Sequence, residues 1–265
     1  MTHARPPAKL NLALVVGPLQ GDGKHEIATV LQRVDLRDDL ELVTAPDRNV
    51  VVEGFPEDTL VRAALAALAE ETGSEQGWHV RLEKRIPIAS GLGGGSSDAA
   101  AALQLANRLL PAPLDSRALH DIAARLGSDV PFFLSDGTQL GSGDGSSLTP
   151  VALPRYYSVL LLLPDGDGKA STESVYRDFD DRRGAEGFEE RRASLVEALE
   201  RVETAHDLGA LPRNDLASSP FAERLALLGA FRADVSGAGP AVYALFESLG
   251  ESERAAAALR GAGRI

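Results

Sequence analysis

The chain has 265 residues, 44% hydrophobic and 25% charged, with a formal net charge of −12 and no cysteine. This is the composition of an ordinary globular protein, long enough for a large core and two lobes. It excludes disulfides, thiolate nucleophiles and thiolate metal sites, argues against nucleic-acid partners, and offers no apolar run of membrane-spanning length.

Residues 1–7 hold no apolar signal core, so a cytoplasmic location is expected. A small anionic ligand is compatible with the acidic surface, because local backbone dipoles can hold phosphate. Of the 27 basic residues only four are lysines, Lys9, Lys24, Lys84 and Lys169, so each lysine merits separate inspection.

Residues 8–16 alternate and then run apolar, which predicts a strand stopped at Gly17-Pro18. Gly21-Asp22-Gly23 forms a turn. Further strands are predicted over 26–36, 38–43 and 48–53, a helix over 59–72 and a strand over 77–86. A glycine-rich loop then runs into a strong helix, with Ser96, Ser97 and Asp98 as capping residues. A helix over 115–126 follows.

Residues 137–149, rich in glycine and serine and carrying the acidic Asp144, predict a loop or boundary. Residues 159–163 predict a buried strand, and the charged stretch 178–207 a solvated helix. Asn214-Asp215-Leu216 is expected to open another helix. Residues 235–246 read as a glycine turn entering a strand, and 251–260 as a last helix ending at Gly261. The sum is an α+β fold with a boundary near 148–155.

The strongest chemical signal is Pro87-Ile88-Ala89-Ser90-Gly91-Leu92-Gly93-Gly94-Gly95-Ser96-Ser97. Consecutive glycines permit positive φ and close approach of backbone to ligand. The following helix N-terminus offers unpaired N–H groups and a partial positive charge, and together they suit phosphate. The alternative is a tight turn packing helix on strand, which needs neither three glycines nor paired serines. Other phosphate loops do not fit. Gly168-Lys169-Ala170 lacks the hydroxyl of a Walker A motif, and Ser96 stands where a dinucleotide fingerprint needs its third glycine.

Asp129, between Gly127-Ser128 and the apolar Val130-Pro131-Phe132-Phe133, is either a positioned general base or a helix-cap residue. Lys9, on the first predicted strand, is either a partner for such a carboxylate or a surface lysine with a buried stem.

Taken in order, Pro7-Ala8-Lys9-Leu10-Asn11-Leu12, Asp22-Gly23-Lys24-His25, Pro87 to Ser97, Leu126-Gly127-Ser128-Asp129-Val130-Pro131, Asn214-Asp215-Leu216 and Ser236-Gly237-Ala238-Gly239 resemble the galactose, homoserine, mevalonate and phosphomevalonate (GHMP) kinase superfamily over nearly the whole chain. The Ala-Lys-Leu-Asn start, the turn before His25 and the Gly-Ser-Asp-Val-Pro segment resemble the branch whose acceptor carries a cytidine diphosphate, in isoprenoid precursor synthesis.

The resemblance implies a two-lobed GHMP-kinase-like fold with the phosphate loop at a helix N-terminus. Residues 1–150 would be the ATP-binding domain and 151–265 the substrate-binding domain. It implies ATP and Mg²⁺, with metal ligands unassigned. Pro87 to Ser97 would wrap the ATP phosphates, Asp129 would be the general base, and Lys9 would orient it. Asn11, Lys24 and His25 would line the acceptor site, His25 reading the cytosine edge, and Tyr176 would stack on the base.

The sequence departs from the family pattern at three positions. Lys24 stands where a tyrosine is usual, Ala238 where Ser or Thr is frequent, and Thr59 where Asn is frequent. A kinase of another small alcohol and a non-catalytic nucleotide-binding relative are the rival readings. The acting species is expected to be a monomer or weak homodimer with a small-molecule substrate.

Overall fold

The computed structural model describes residues 2–165 and 171–264, so Gly168-Lys169-Ala170 lies outside the described residues. In chain order the elements are β1 (Thr2–Ala4), β2 (Pro7–Leu19), β3 (His25–Arg37), β4 (Asp39–Ala45), β5 (Val50–Glu53), α1 (Leu60–Thr72), β6 (Gly77–Glu83), α2 (Gly94–Leu109), α3 (Ser116–Leu126), α4 (Val130–Leu134), β7 (Thr138–Ser142), β8 (Ser147–Val151) and β9 (Ser158–Pro164). They continue with α5 (Thr172–Asp181), α6 (Phe188–Glu200), a 3₁₀ turn (Ala205–Ala210), α7 (Pro220–Leu227), β10 (Arg232–Val235), β11 (Val242–Phe246), α8 (Leu249–Ala258) and β12 (Gly263–Arg264). This is the α+β content that the periodicities predict.

The elements form two compact, interleaved units. The first holds the chain up to Lys9, Arg33–Ile88 and Gly93–Asp136; the second holds Leu10–Gln32, Ala89–Leu92 and the chain from Gly137 on. The chain therefore changes unit directly after Lys9 and twice inside the glycine-rich segment. The sequence boundary near 148–155 falls within the second unit.

The first unit is built on a sheet of order β1-β4-β6-β5, antiparallel except where β5 runs parallel to β6. Helix α1 buries Val61, Ala64, Leu65 and Leu68, the i, i+3, i+4, i+7 stripe of an amphipathic helix. Helix α2 packs beside it and buries Ala99–Ala102, Leu103 and Ala106. Each fully buried Leu or Val contributes about 1.5–3 kcal/mol.

The second unit has two sheets, β2-β3-β7-β8 and β10-β11-β9-β12. Leu160 and Leu162 of β9 and Val242, Ala244 and Phe246 of β11 alternate onto one face, where Leu225 of α7 and Ala255 and Leu259 close the core. A smaller cluster of Leu14, Val16, Val175, Phe179 and Leu216 packs α5 against β2.

Four local expectations are corrected. Strand β2 continues through Gly17-Pro18 to Leu19. Gly17 is there for packing, since a Cβ would sit 2.9 Å from the Phe188 ring, and Pro18 lies on an edge strand, where a missing N–H is tolerated. Residues 137–149 form the β7–β8 hairpin, in which a Cβ on Gly141 would lie 3.0 Å from Gly145 O and 3.1 Å from Thr29 Cγ2.

No helix opens at Asn214. Its amide donates to Val235 O (2.9 Å) and Gly237 O (2.7 Å), and Asp215 accepts from Val16 N (2.9 Å) and Arg191 Nε (3.1 Å). These polar groups stitch the segment to its neighbours, and α7 starts only at Pro220. Finally, Ser96, Ser97 and Asp98 do not cap α2. The helix begins at Gly94, with Gly93 as N-cap at φ +70°, and Ser97 and Asp98 are buried inside it.

Asp98 is held there by Lys84. The ammonium lies 2.5 Å from Asp98 Oδ2 and also pairs with Asp38, which is fully buried. Asp38 accepts further bonds from the Arg85 and Ile86 N–H groups. One lysine thus ties the β3–β4 junction and the chain after β6 to the first turns of α2. Burial works against the charge on Lys84, yet Asp98 and Asp38 raise its pKa above the ordinary value.

Burial pushes the Asp98 carboxyl up to about 7, although Lys84 pulls the other way. A carboxyl whose folded pKa exceeds its unfolded one stabilises the fold below about pH 4 and loses that contribution as pH rises through its folded value. Asp98→Asn is therefore expected to raise Tm by several degrees at about pH 8 and to change it little at about pH 4. Calorimetry that found the same offset at both would show that Asp98 does not titrate in this interval.

Candidate active site

Within the second unit, Ala89–Leu92 is gripped by the turn between β10 and β11. Ser90 O accepts from Ala241 N (3.0 Å), and Ser236 Oγ donates to Gly91 O (2.9 Å). A Cβ on Gly91, which has φ +86°, would meet Ser236 O at 2.0 Å, so only glycine fits. Ala89 has φ +54°, a left-handed conformation that costs a non-glycine residue about 1 kcal/mol or more. Ser90 and Leu92 are buried, and Ile88, beside Pro87 at the start of the loop, is 63% exposed.

Within the first unit, Gly93 brings the loop onto Lys9. A Cβ there would lie 2.9 Å from Lys9 Cγ and 3.1 Å from Phe133 Cζ. Gly94 is similarly close to Ile86 and Lys84, Gly95 is exposed and Ser96 half-buried. No side chain caps α2, so its leading N–H groups are donors suited to an anion. The Ser97 hydroxyl is buried and has no hydrogen-bond partner among the described residues.

Lys9 and Asp129, taken from opposite ends of the first unit's sequence, form an ion pair of 3.3 Å. The Lys9 side chain is 4% exposed and that of Asp129 39% exposed, so the carboxylate remains reachable while the ammonium does not. Asp129 occupies the N-cap position of α4, but its side chain makes no capping bond. The helix-cap alternative for Asp129 and the surface alternative for Lys9 both fall. At the other end of α4, Arg33 donates to Phe132 O (3.1 Å), Phe133 O (3.0 Å) and Ser135 O, and lies 5.4 Å from the Phe132 ring centre. Burial lowers the Arg33 pKa.

The remaining candidates lie in the second unit. Asn11 is buried, its amide donating to Thr29 Oγ1 (2.8 Å), which donates to Ala13 O (2.8 Å). His25 stands at the start of β3, its ring centre 4.8 Å from that of Tyr176 and 5.9 Å from that of Phe179. Its Nε2 is 2.8 Å from Asp180 Oδ1. Lys24 turns to Asp144 Oδ2, 2.5 Å away in the β7–β8 turn. Burial opposes ionisation of Asp144, but Lys24 and Ser146 hold its pKa down to about 2. Ala238 packs on the cluster beneath α5. Thr59 contributes no cap to α1; Asp58 accepts from Val61 N (3.0 Å) and Arg62 N (3.3 Å) instead.

Sequence reasoning missed Asp180, Arg33 and the Asp38–Lys84–Asp98 cluster. Asp180 follows Tyr176 by one helical turn, a spacing visible in the sequence. Arg33 and Asp38 carried no signal, because their partners are distant in the chain.

Gly93→Ala is expected to cost about 1–3 kcal/mol of stability and to cut turnover more than tenfold by displacing the Lys9 stem. Gly23→Ala, at φ +84° with open space around it, is the control and should cost only about 1 kcal/mol with turnover retained. Equal effects of the two in denaturation and turnover assays would remove the steric argument.

The GHMP kinases N terminal domain family matches residues 59–137, and the GHMP kinases C terminal family matches 185–265. A 4-diphosphocytidyl-2-C-methyl-D-erythritol kinase of Kineococcus radiotolerans is 37% identical over 274 residues, covering 96% of this chain and 84% of the relative. One of Salinispora tropica is 38% identical over 276 residues, covering 97% and 87%. A crystal structure of 4-(cytidine 5'-diphospho)-2C-methyl-D-erythritol kinase superposes with a TM-score of 0.78 at 32% identity, covering 99% of this chain and 97% of the other. Mevalonate kinase of Methanococcus jannaschii, at 12% identity and a TM-score of 0.75 over 97% and 94% of the two chains, shares the fold. The chain belongs to the GHMP kinases and, among them, to the 4-diphosphocytidyl-2-C-methyl-D-erythritol kinase family.

Proposed function

We propose that this chain transfers the γ-phosphoryl group of ATP to the 2-hydroxyl of 4-diphosphocytidyl-2-C-methyl-D-erythritol, in isoprenoid precursor synthesis. The relatives' shared name supports the substrate. The observation that carries the chemistry is the Lys9–Asp129 pair under the close approach of Gly93.

Phosphoryl transfer asks a protein mainly for positioning and charge stabilisation. Asp129 accepts the hydroxyl proton as the oxygen attacks phosphorus. Lys9, fixed by burial, orients the carboxylate and stabilises negative charge. The Pro87–Ser97 loop and the uncapped α2 terminus hold the ATP phosphates. Asn11, Lys24, His25 and Tyr176 bind the acceptor, with His25 on the cytosine edge and Tyr176 on its face. A paired lysine and reachable aspartate speak against a non-catalytic relative.

Mg²⁺ supplies charge neutralisation at the phosphate oxygens in transfers of this type. Among the described residues no group of three or more His, Asp or Glu side chains is placed to hold an ion. If Mg²⁺ binds here, the buried Ser97 hydroxyl, which has no hydrogen-bond partner among the described residues, would be the oxygen of this chain best suited to hold it. A cytoplasmic location and a monomer or weak homodimer complete the proposal; among the described residues no helix is long and apolar enough to cross a membrane.

The test is ADP release from MgATP with the cytidyl-diphosphate substrate, the same polyol without its nucleotide, mevalonate and homoserine. Turnover is expected with the first alone, and preferential turnover of mevalonate or homoserine would displace the proposed substrate.

A further inference from the structure

Helix α5 presents Tyr176, Phe179 and Asp180 at i, i+3 and i+4, which is one helical face. All three meet His25. Tyr176 lies against the ring tilted by 31°, Phe179 meets it edge-on at 83°, and Asp180 Oδ1 is 2.8 Å from Nε2. The His25 side chain is 6% exposed, whereas that of Asp180 is 46% exposed. An aromatic pair alone would hold the ring in place. The carboxylate adds a chemical constraint, because a carboxylate only accepts hydrogen bonds, so the proton of this bond belongs to Nε2. The neutral imidazole then carries its lone pair on Nδ1. Among the described residues Nδ1 makes no hydrogen bond.

We propose that Asp180 is a specificity-determining residue that acts through His25: by fixing the proton on Nε2 it leaves Nδ1 as an acceptor, which selects a cytosine base over uracil. At the corresponding ring position cytosine carries an amino donor and uracil a carbonyl acceptor. An Nδ1 lone pair bonds the first and repels the second. This discrimination works by an unfavourable pairing against the wrong base as well as a favourable one with the right base. It rests on the reading of His25 and Tyr176 as the base-binding pair given above.

Substitution of Asp180 separates this role from a merely structural one. In Asp180→Asn the amide can accept from Nε2 or donate to it. The donating orientation moves the imidazole proton to Nδ1 and makes that atom a partner for uracil. Asp180→Glu keeps a carboxylate acceptor. The half-exposed position gives both variants a good prospect of folding, checked by their unfolding temperatures.

The measurement is calorimetric binding of CDP and UDP to the full chain. The wild type is expected to prefer CDP by about tenfold or more. Asp180→Asn should bring the two affinities to within about threefold, partly through a gain in UDP binding, and Asp180→Glu should keep most of the preference. A structural role would weaken both ligands alike, so an unchanged CDP-to-UDP ratio in Asp180→Asn would overturn the inference while leaving the base-binding reading intact. A wild type that shows no preference would overturn that reading and the inference with it.

Discussion

A buried ammonium next to a reachable carboxylate is the constraint around which the first unit is arranged. Burying one partner of an ion pair is costly, and such pairs are poor sources of net stability. Lys9 is nevertheless almost wholly enclosed, with Asp129 3.3 Å away and still open to solvent. The surrounding geometry keeps it so. Gly93 lies too close to the Lys9 stem for any side chain, and Arg33 fastens the far end of the five-residue helix that begins after Asp129. The pair is maintained by packing, and its geometry explains why the carboxylate neither caps its helix nor turns away from the lysine.

The glycine-rich loop follows the same logic. Its backbone is forced at Ala89, Gly91 and Gly93, and helix α2 starts without a side-chain cap. Those are local costs. They are offset by attachments outside the loop: Lys84 grips Asp98 in the first unit, and Ser236 grips Gly91 in the second. Leaving the helix N-terminus uncapped keeps its N–H groups available to an anion. Ser97 and Asp98 look like caps in the sequence because their residue types suit that role. They are buried instead because the three glycines move the helix start forward by two or more residues.

Much of this was legible in the sequence. Apolar periodicity located α1, α3, β6, β9 and β11, and the glycine run located the tight loop before α2, because these signals are local. The same local reasoning misread the β7–β8 hairpin, in which Gly141 serves close strand packing. It also misread Asn214-Asp215-Leu216, whose polar side chains bind β2 and β10 rather than a helix of their own. Lys9 and Asp129 were each ambiguous alone. Their contact appears only in the fold, and no spacing rule contains it. Lys24 is a milder case: its charge is visible in the sequence, but its commitment to Asp144 depends on a hairpin more than a hundred residues later.

The most direct test of the central claim is the single-turnover rate of Asp129→Asn with MgATP and the cytidyl-diphosphate substrate, beside its affinity for ATP. The variant preserves shape and removes only the ability to take a proton. The account predicts a rate lower by about 10²–10⁴-fold, with ATP affinity within about twofold of the wild type. A rate close to that of the wild type would contradict it and remove Asp129 from the chemistry.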